Sequence, residues 1–283
     1  MKLHERKLQE ISGSLLVSIP KAWANQFKLK KGSKVEIGEA EFSLQLAPKL
    51  DRIKTKSREL IDYDERFVRK FMRLYLKGTD EIVIAHKNSF STHDKKSIQK
   101  NLEGFMNVQI IEEHSDKIVI QNFDITDLTI EQCLKRMYFL TKNMIVGVIE
   151  QSDDIHSIDS NLHKFYFLLV RLIRKDLDEG LYAEKKMHLI RYMDYRMASE
   201  KIERIGDLLK VINHKKKDKI LIQQLKFIEK EYEATFNAFV KEDFKTAMEL
   251  WKKRNQINKD FKTLRTEIAE IHEFIVQISK LIR

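Results

Sequence analysis

Hydrophobic positions change their period along this chain. In the first fifty residues apolar and polar residues alternate over short runs, Leu15-Leu16-Val17-Ser18-Ile19, Val35-Glu36-Ile37 and Phe42–Ala47. Alternation over so few residues predicts short, half-buried strands. Lys31-Gly32 and Gly38–Glu41 read as turns between them. Pro20 opens a short helix that runs through Ala22-Trp23 to about Phe27, because a proline's missing N–H is unpaired at a first helical position anyway. The pattern predicts two small hairpins flanking one helix, with Trp23, Phe27, Leu29 and Val35 as a small apolar core. So small a unit cannot bury a core alone, and a second copy is expected to complete it.

Beyond residue 62 helical spacing takes over. Residues 49–62 are charged and carry no apolar stripe, so they read as a linker or the exposed start of a helix. Over 63–124, Phe67, Phe71, Leu74 and Tyr75 have helical spacing, and Gly78 stands where a left-handed C-cap belongs. Glu81–Ala85 is a strand, Ser91–Gly104 a helix started by Ser91 or Thr92, and Val108–Ile111 and Lys117–Gln121 are two strands, giving an α-β-α-β-β unit. Residues 125–283 are almost wholly helical, with Thr126 or Thr129 capping the first helix. Ile155, Ile158, Leu162, Phe165, Leu168 and Leu172 mark one stripe, with Gly180 ending that helix, and Leu189 through Ile212 mark another within 183–213. Further helices are expected over 219–241 and 243–283, the last with a possible break. Short loops between such helices favour antiparallel bundling. The fold class is therefore multidomain α+β, made of a β-rich head at 1–48, a linker at 49–62, an α/β unit at 63–124 and a helical bundle at 125–283.

Charge changes the picture of the head. The chain of 283 residues carries 53 Lys plus Arg against 43 Asp plus Glu. Twelve of those cations and only six of the acids fall within residues 1–57. A basic unit of short strands and turns suits nucleic acid, since each cation that neutralises a phosphate releases counterions. Arg6, Lys7, Lys21, Lys30, Lys31 and Lys34 are the expected phosphate contacts, and Ser12 and Ser14 flank Gly13 where backbone can approach closely. The single cysteine, Cys133, excludes an internal disulfide and a cysteine-based zinc site and reads as a small buried hydrophobe. The start of the chain is polar and no apolar run is long enough for a membrane span, so a cytoplasmic protein without membrane insertion is expected. Neither a phosphate-cradling glycine loop nor a nucleophile–base pair is evident, which argues against an enzyme.

Two resemblances sharpen this reading. Arg6-Lys7, Gly13-Ser14, Val17-Ser18-Ile19-Pro20-Lys21, Trp23 and Leu29–Val35 resemble the AbrB/SpoVT swapped-hairpin DNA-binding family. The likeness covers about 45 residues and implies a head that exchanges hairpins between two copies and grips double-stranded DNA. Tyr75–Ile82, Ile110–Glu113, Ile118–Gln121, Phe165–Arg171 and Glu203–Asp207 resemble the PhoU family in its archaeal, AbrB-headed form. That resemblance implies a regulator of phosphate uptake and phosphate homeostasis, with a phosphate-transporter ATPase subunit as a possible partner. It also implies a divalent or iron-type metal ion, held at a Glu/Asp-x-x-x-Asp box on adjacent helices. Here the box is Glu203-x-x-x-Asp207, with Asp159 and His163 on the preceding helix. His163 stands where the family has an acid, and the second repeat offers Arg254 and Asn258, neither of which supplies a charged oxygen. A regulator that works through protein contacts, with a head used only for dimerisation, is the alternative. His156, His188, His214 and His272 show no ligand spacing and read as structural or surface residues; Met137–Phe139 and Phe165–Phe167 read as bundle core.

Overall fold

The computed structural model describes residues 4–40, 43–48, 56–125, 127–178, 187–215, 218–253 and 265–282. It divides the chain into two units, 1–55 and 56–283.

The first unit is two separate hairpins and one helix. Strand β1 (Gln9–Ile11) pairs antiparallel with β2 (Ser14–Leu16) across a two-residue turn. Both turn residues have positive φ, Ser12 at 50° and Gly13 at 78°, the geometry that lets a tight hairpin follow the twist of its strands. Helix α1 (Lys21–Gln26) follows Pro20, and Gly32, at φ 87°, makes the turn that leads into β3 (Val35–Ala40). β3 pairs antiparallel with β4 (Ser43–Pro48). The strand runs through Gly38 to Ala40, where the sequence pattern put a turn, because Gly38 pairs with Gln45 within the ladder. The expected core does not form within one copy: Trp23, Phe27, Leu29 and Val35 are only half-buried, and the Trp23 and Phe27 rings lie 5.1 Å apart.

The second unit joins a sheet and a bundle. Its sheet has the order β5-β6-β8-β7, formed by β5 (Arg58–Asp62), β6 (Glu81–Ala85), β7 (Val108–Glu113) and β8 (Lys117–Asn122). β5 corrects the expected linker: five of its residues pair in parallel with β6, through a crossover that contains α2 (Phe67–Lys77). Leu60 and Ile61 alone mark it in sequence, between charged neighbours, and its Ile61 side chain is buried while Leu60 is open. The rest of the stretch expected as linker lies outside the described residues up to 55. Gly78 does cap α2 in the left-handed region, at φ 91°. Ser91 caps α3 (Thr92–Leu102) and shares a capping box with Asp94.

The bundle contains α4 (Ile130–Glu150), α5 (Ile155–Asp178), α6 (Leu189–Asn213), α7 (Lys219–Lys241), α8 (Phe244–Lys253) and α9 (Thr266–Ser279). Thr129 caps α4 in a capping box with Gln132; Thr126 lies outside the described residues, as does Gly180. Met144, Leu162, Leu168, Ile202, Ile205, Leu209, Leu225, Tyr232 and Ile271 belong to one continuous core. Cys133 lies within it, and burial pushes its thiol up to about 12. A Cβ on Gly206 would run into Leu162, so the glycine allows α5 and α6 to approach closely.

α5 belongs to both layers. Phe167 completes the core of the sheet side, stacked on Phe105 at 5.4 Å, and Phe105 in turn meets Phe71 at 5.1 Å and Tyr75 at 4.9 Å. One turn further along, Arg171 is buried at the C-terminus of α2. Its guanidinium donates to the carbonyls of Tyr75, Thr79 (3.5 Å) and Gly78 (3.3 Å) and lies 5.0 Å over the Tyr75 ring. The last carbonyls of a helix carry partial negative charge and lack intrahelical donors, so a cation there satisfies both needs. Burial pulls Arg171 below the ordinary arginine value, but a guanidinium stays charged.

Candidate nucleic-acid interface

The head places its cations on short strands, turns and one short helix. Arg6 and Lys7 precede β1, Ser12 sits in the β1–β2 turn, Ser14 begins β2, and Lys21 begins α1. Lys30, Lys31 and Lys34 cluster around the Gly32 turn, where Ser33 Oγ accepts from the Lys30 N–H at 2.8 Å. All eight expected contact residues are exposed, and among the described residues none of the six cations is in an ion pair with an acid.

The same unit leaves its apolar side chains open. Cβ directions alternate along a strand, so Val35, Ile37 and Glu39 share one face of β3, and their partners Pro48, Leu46 and Leu44 share it on β4. Ile37 is 63% exposed and Leu44 71%. On the first hairpin Ile11, Leu15 and Leu16 are likewise open, Leu15 at 67%. No described residue of the unit is buried. A two-stranded ribbon without a covered apolar face is marginal in water.

The second candidate cluster lies between α5 and α6. The antiparallel helices bring all four expected residues to one seam. His163 Nδ1 meets Glu203 Oε1 at 3.2 Å, and one to two turns away Asp159 Oδ2 accepts from Lys210 Nζ at 2.7 Å. Lys210 also reaches Asp207 Oδ1 at 3.2 Å. Burial works against the Lys210 charge, but the Asp159 and Asp207 carboxylates outweigh it, so the ammonium titrates above the ordinary lysine range. Lys210 thus supplies the positive charge that a metal ion would bring to these two carboxylates. Among the described residues no group of three or more His, Cys, Asp or Glu side chains is disposed to hold a metal. Arg254 and Asn258 lie outside the described residues.

Replacing Lys210 by Met leaves Asp159 and Asp207 facing each other without a cation. Exposed pairs of this kind contribute up to about 1 kcal/mol each, so the variant is expected to lose about 1–2 kcal/mol. Millimolar Mn²⁺ is expected to restore that loss in the variant and to leave wild-type stability unchanged, as read from thermal melts with and without the ion. Equal responses of the two proteins would contradict the role given to Lys210.

Sequence spacing alone did not single out Lys210 or Arg171. Lys210 stands three residues after Asp207, which is a salt-bridge spacing on a helix, whereas its partnership with Asp159 depends on the pairing of α5 with α6. Three histidines also have more specific surroundings than their spacing indicated. His188 caps α6, its Nδ1 accepting from the Ile190 N–H at 3.3 Å, and the rings of His156 and His214 lie 5.4 Å apart where α5 begins and α6 ends.

Among the described residues no helix is long and apolar enough to cross a membrane. No family model matches the chain, and neither a curated protein nor a solved structure matches it.

Proposed function

We propose that this chain is a DNA-binding transcription regulator of phosphate uptake. Two copies pair through their heads and present Arg6, Lys7, Ser12, Ser14, Lys21, Lys30, Lys31 and Lys34 to double-stranded DNA. The helical body senses a state or docks a partner, for which a phosphate-transporter ATPase subunit is the candidate. The observation that carries DNA binding is the head itself, whose contact residues are all exposed on a unit with no buried described residue. The assignment to phosphate uptake rests on the likeness of the body's motifs to the PhoU family.

The phosphate backbone dominates affinity for a duplex, and each neutralised phosphate steepens the salt dependence. Changing Arg6, Lys7 and Lys21 together to Ala is therefore expected to weaken binding to promoter duplexes by at least about 100-fold at low salt, three contacts being lost from each of two copies. Fluorescence anisotropy on a labelled duplex reads this directly. Equal affinity of the variant and the wild type would sink the DNA reading. It would favour the second one, a regulator that acts through protein contacts with a head used for pairing; the open apolar strands of the head agree with that as well.

A further inference from the structure

The two edges of the four-stranded sheet are not alike. β7 is broken by a register shift between Ile110 and Glu112 and ends in Glu112-Glu113, and irregularities and charges of that kind keep an edge from pairing with another chain. β5 has neither a register shift nor a proline, and among the described residues no strand covers its outer side. Hydrogen bonds at its two ends show which way its backbone faces. The Glu81 N–H donates to the Ser57 carbonyl at 2.9 Å, and the Tyr63 N–H donates to the Ala85 carbonyl at 2.7 Å. Residues 57 and 63 therefore turn toward β6, and alternation along the strand leaves the N–H and C=O of Arg58, Leu60 and Asp62 on the open side. The Asp62 carbonyl agrees with this: it meets Lys70 Nζ, at 3.4 Å, rather than β6, and it keeps a second lone pair.

The side chains of these three residues share the sheet face opposite Ile61. Along the strand they run cation, leucine, anion, which is the complement of the same order reversed. A two-fold axis beside Leu60 sets a second copy of β5 antiparallel to the first. Leu60 then faces its own counterpart, and Arg58 of each copy faces Asp62 of the other. The same register matches outward N–H groups to outward C=O groups, because all three residues turn their backbone to the open side. Leu60 is 65% exposed in one copy. Among the described residues Asp62 makes no ion pair. Arg58 holds Glu81 through Nε at 2.7 Å, yet its side chain stays 58% exposed and a guanidinium has further donors for a second carboxylate. The second copy's aspartate would stand two strands from Glu81, about 10 Å away, with the guanidinium between them. Glu59 lies on the other face and pairs with Lys77 at 2.9 Å.

From this register we infer that β5 pairs with β5 of a second copy of the chain, antiparallel about Leu60, and joins the two four-stranded sheets into one. An edge of five residues buries too little to hold two copies together by itself. Only residues 49–57 separate β4 from β5 in sequence, and a segment of that length reaches about 30 Å at most. Paired heads would therefore hold the two β5 strands at a high effective concentration. The inference thus rests on the pairing of the heads proposed above and adds a second contact to it.

Leu60→Cys tests this in the full-length protein. Cys133, the one native cysteine, is buried, so wild type serves as the blank. A short bis-maleimide is expected to link two copies through position 60, because hydrogen-bonded partners in an antiparallel ladder have Cα atoms about 5.5 Å apart. Adding Asp62→Arg to Leu60→Cys is expected to slow linking at least tenfold, since each Arg58 then faces another cation. Adding Arg58→Asp as well is expected to restore it. Positions 58 and 62 of one copy lie about 13 Å apart along the strand, so a repair within one copy does not explain that rescue. Light scattering on Leu60→Cys before linking separates the β5 contact from the pairing it rests on. A dimer that does not link at position 60, or charge variants that all link at the parent's rate, would overturn the β5 contact alone. A monomer that does not link would overturn the paired heads and the β5 contact together.

Discussion

If two copies pair through their heads as proposed, Leu15→Asp combined with Ile37→Asp is expected to leave a monomer and to abolish duplex binding with it. Both side chains are open in a single copy, at 67% and 63%, and both lie on strands whose apolar faces nothing in that copy covers. If a second copy covers them, each contributes about 1.5–3 kcal/mol of burial. Two positions in each of two copies then sum to at least about 6 kcal/mol, and an unpaired carboxylate placed in that contact costs more again. Self-association would weaken more than about 10,000-fold, which removes the dimer at any practical concentration. DNA affinity falls too, because a monomer presents half the cations. The 56–283 unit has its own cores, so its unfolding transition is expected to stay where it is. Light scattering reads the mass, and a variant that stays dimeric would show that pairing does not use these faces.

Arg171→Leu is expected to produce the largest loss of stability of any single change considered. The substitution keeps an apolar stem and removes the donors from the end of α2. Thr79 O keeps a bond from Asn122 Nδ2, and Tyr75 O keeps one from the Gly78 N–H at 3.1 Å, but Gly78 O loses its side-chain donor. Hydrogen bonds to charged groups are worth about 1.5–3 kcal/mol each, and a guanidinium over a desolvated ring adds about 1. Allowing for the desolvation cost that Leu avoids, a net loss of about 3 kcal/mol is expected, which lowers Tm by about 6–12 °C in a unit of this size. Arg171→Lys is expected to recover less than half, because an ammonium cannot fork between carbonyls. Urea unfolding measures both, and a loss under about 0.5 kcal/mol for the Leu variant would show that Arg171 does not tie the sheet layer to the bundle.

Legibility in the sequence followed the length of each pattern. The stripes of α4–α7 extend over many turns and caps are local chemistry, so these helices could be placed from the residues alone; Gly78 was indicated outright, while Ser91 and Thr129 were each one of two candidate caps. β5 escaped notice because two apolar residues among charges make no pattern, and its strand character comes from pairing with β6 across eighteen intervening residues that the pattern cannot see. The extension of β3 through Gly38 was hidden by the ordinary association of glycine with turns. In the seam between α5 and α6 the four residues expected to meet do share one face, since i to i+4 spacing on two antiparallel helices determines that. The lysine that neutralises two of them was invisible, because which cation reaches across depends on how far one helix slides along the other. Arg171 was hidden for the same reason: a cation in an apolar stripe gives no sign that its partners are backbone carbonyls 92 to 96 residues away. In the head, the pattern indicated two hairpins but placed no strand at Gln9–Ile11 and ran the next one over Leu15–Ile19, where the strand is Ser14–Leu16, because three-residue strands are too short to show a period.

The central claim is that the head's strands are completed by a second copy of the chain. Amide hydrogen exchange on the intact protein across a range of concentrations tests it most directly. The account predicts that protection of 9–16 and 35–48 rises with protein concentration, while protection of β6 and β8 does not change. Head strands equally protected, or equally unprotected, from dilute monomer to concentrated solution would contradict it.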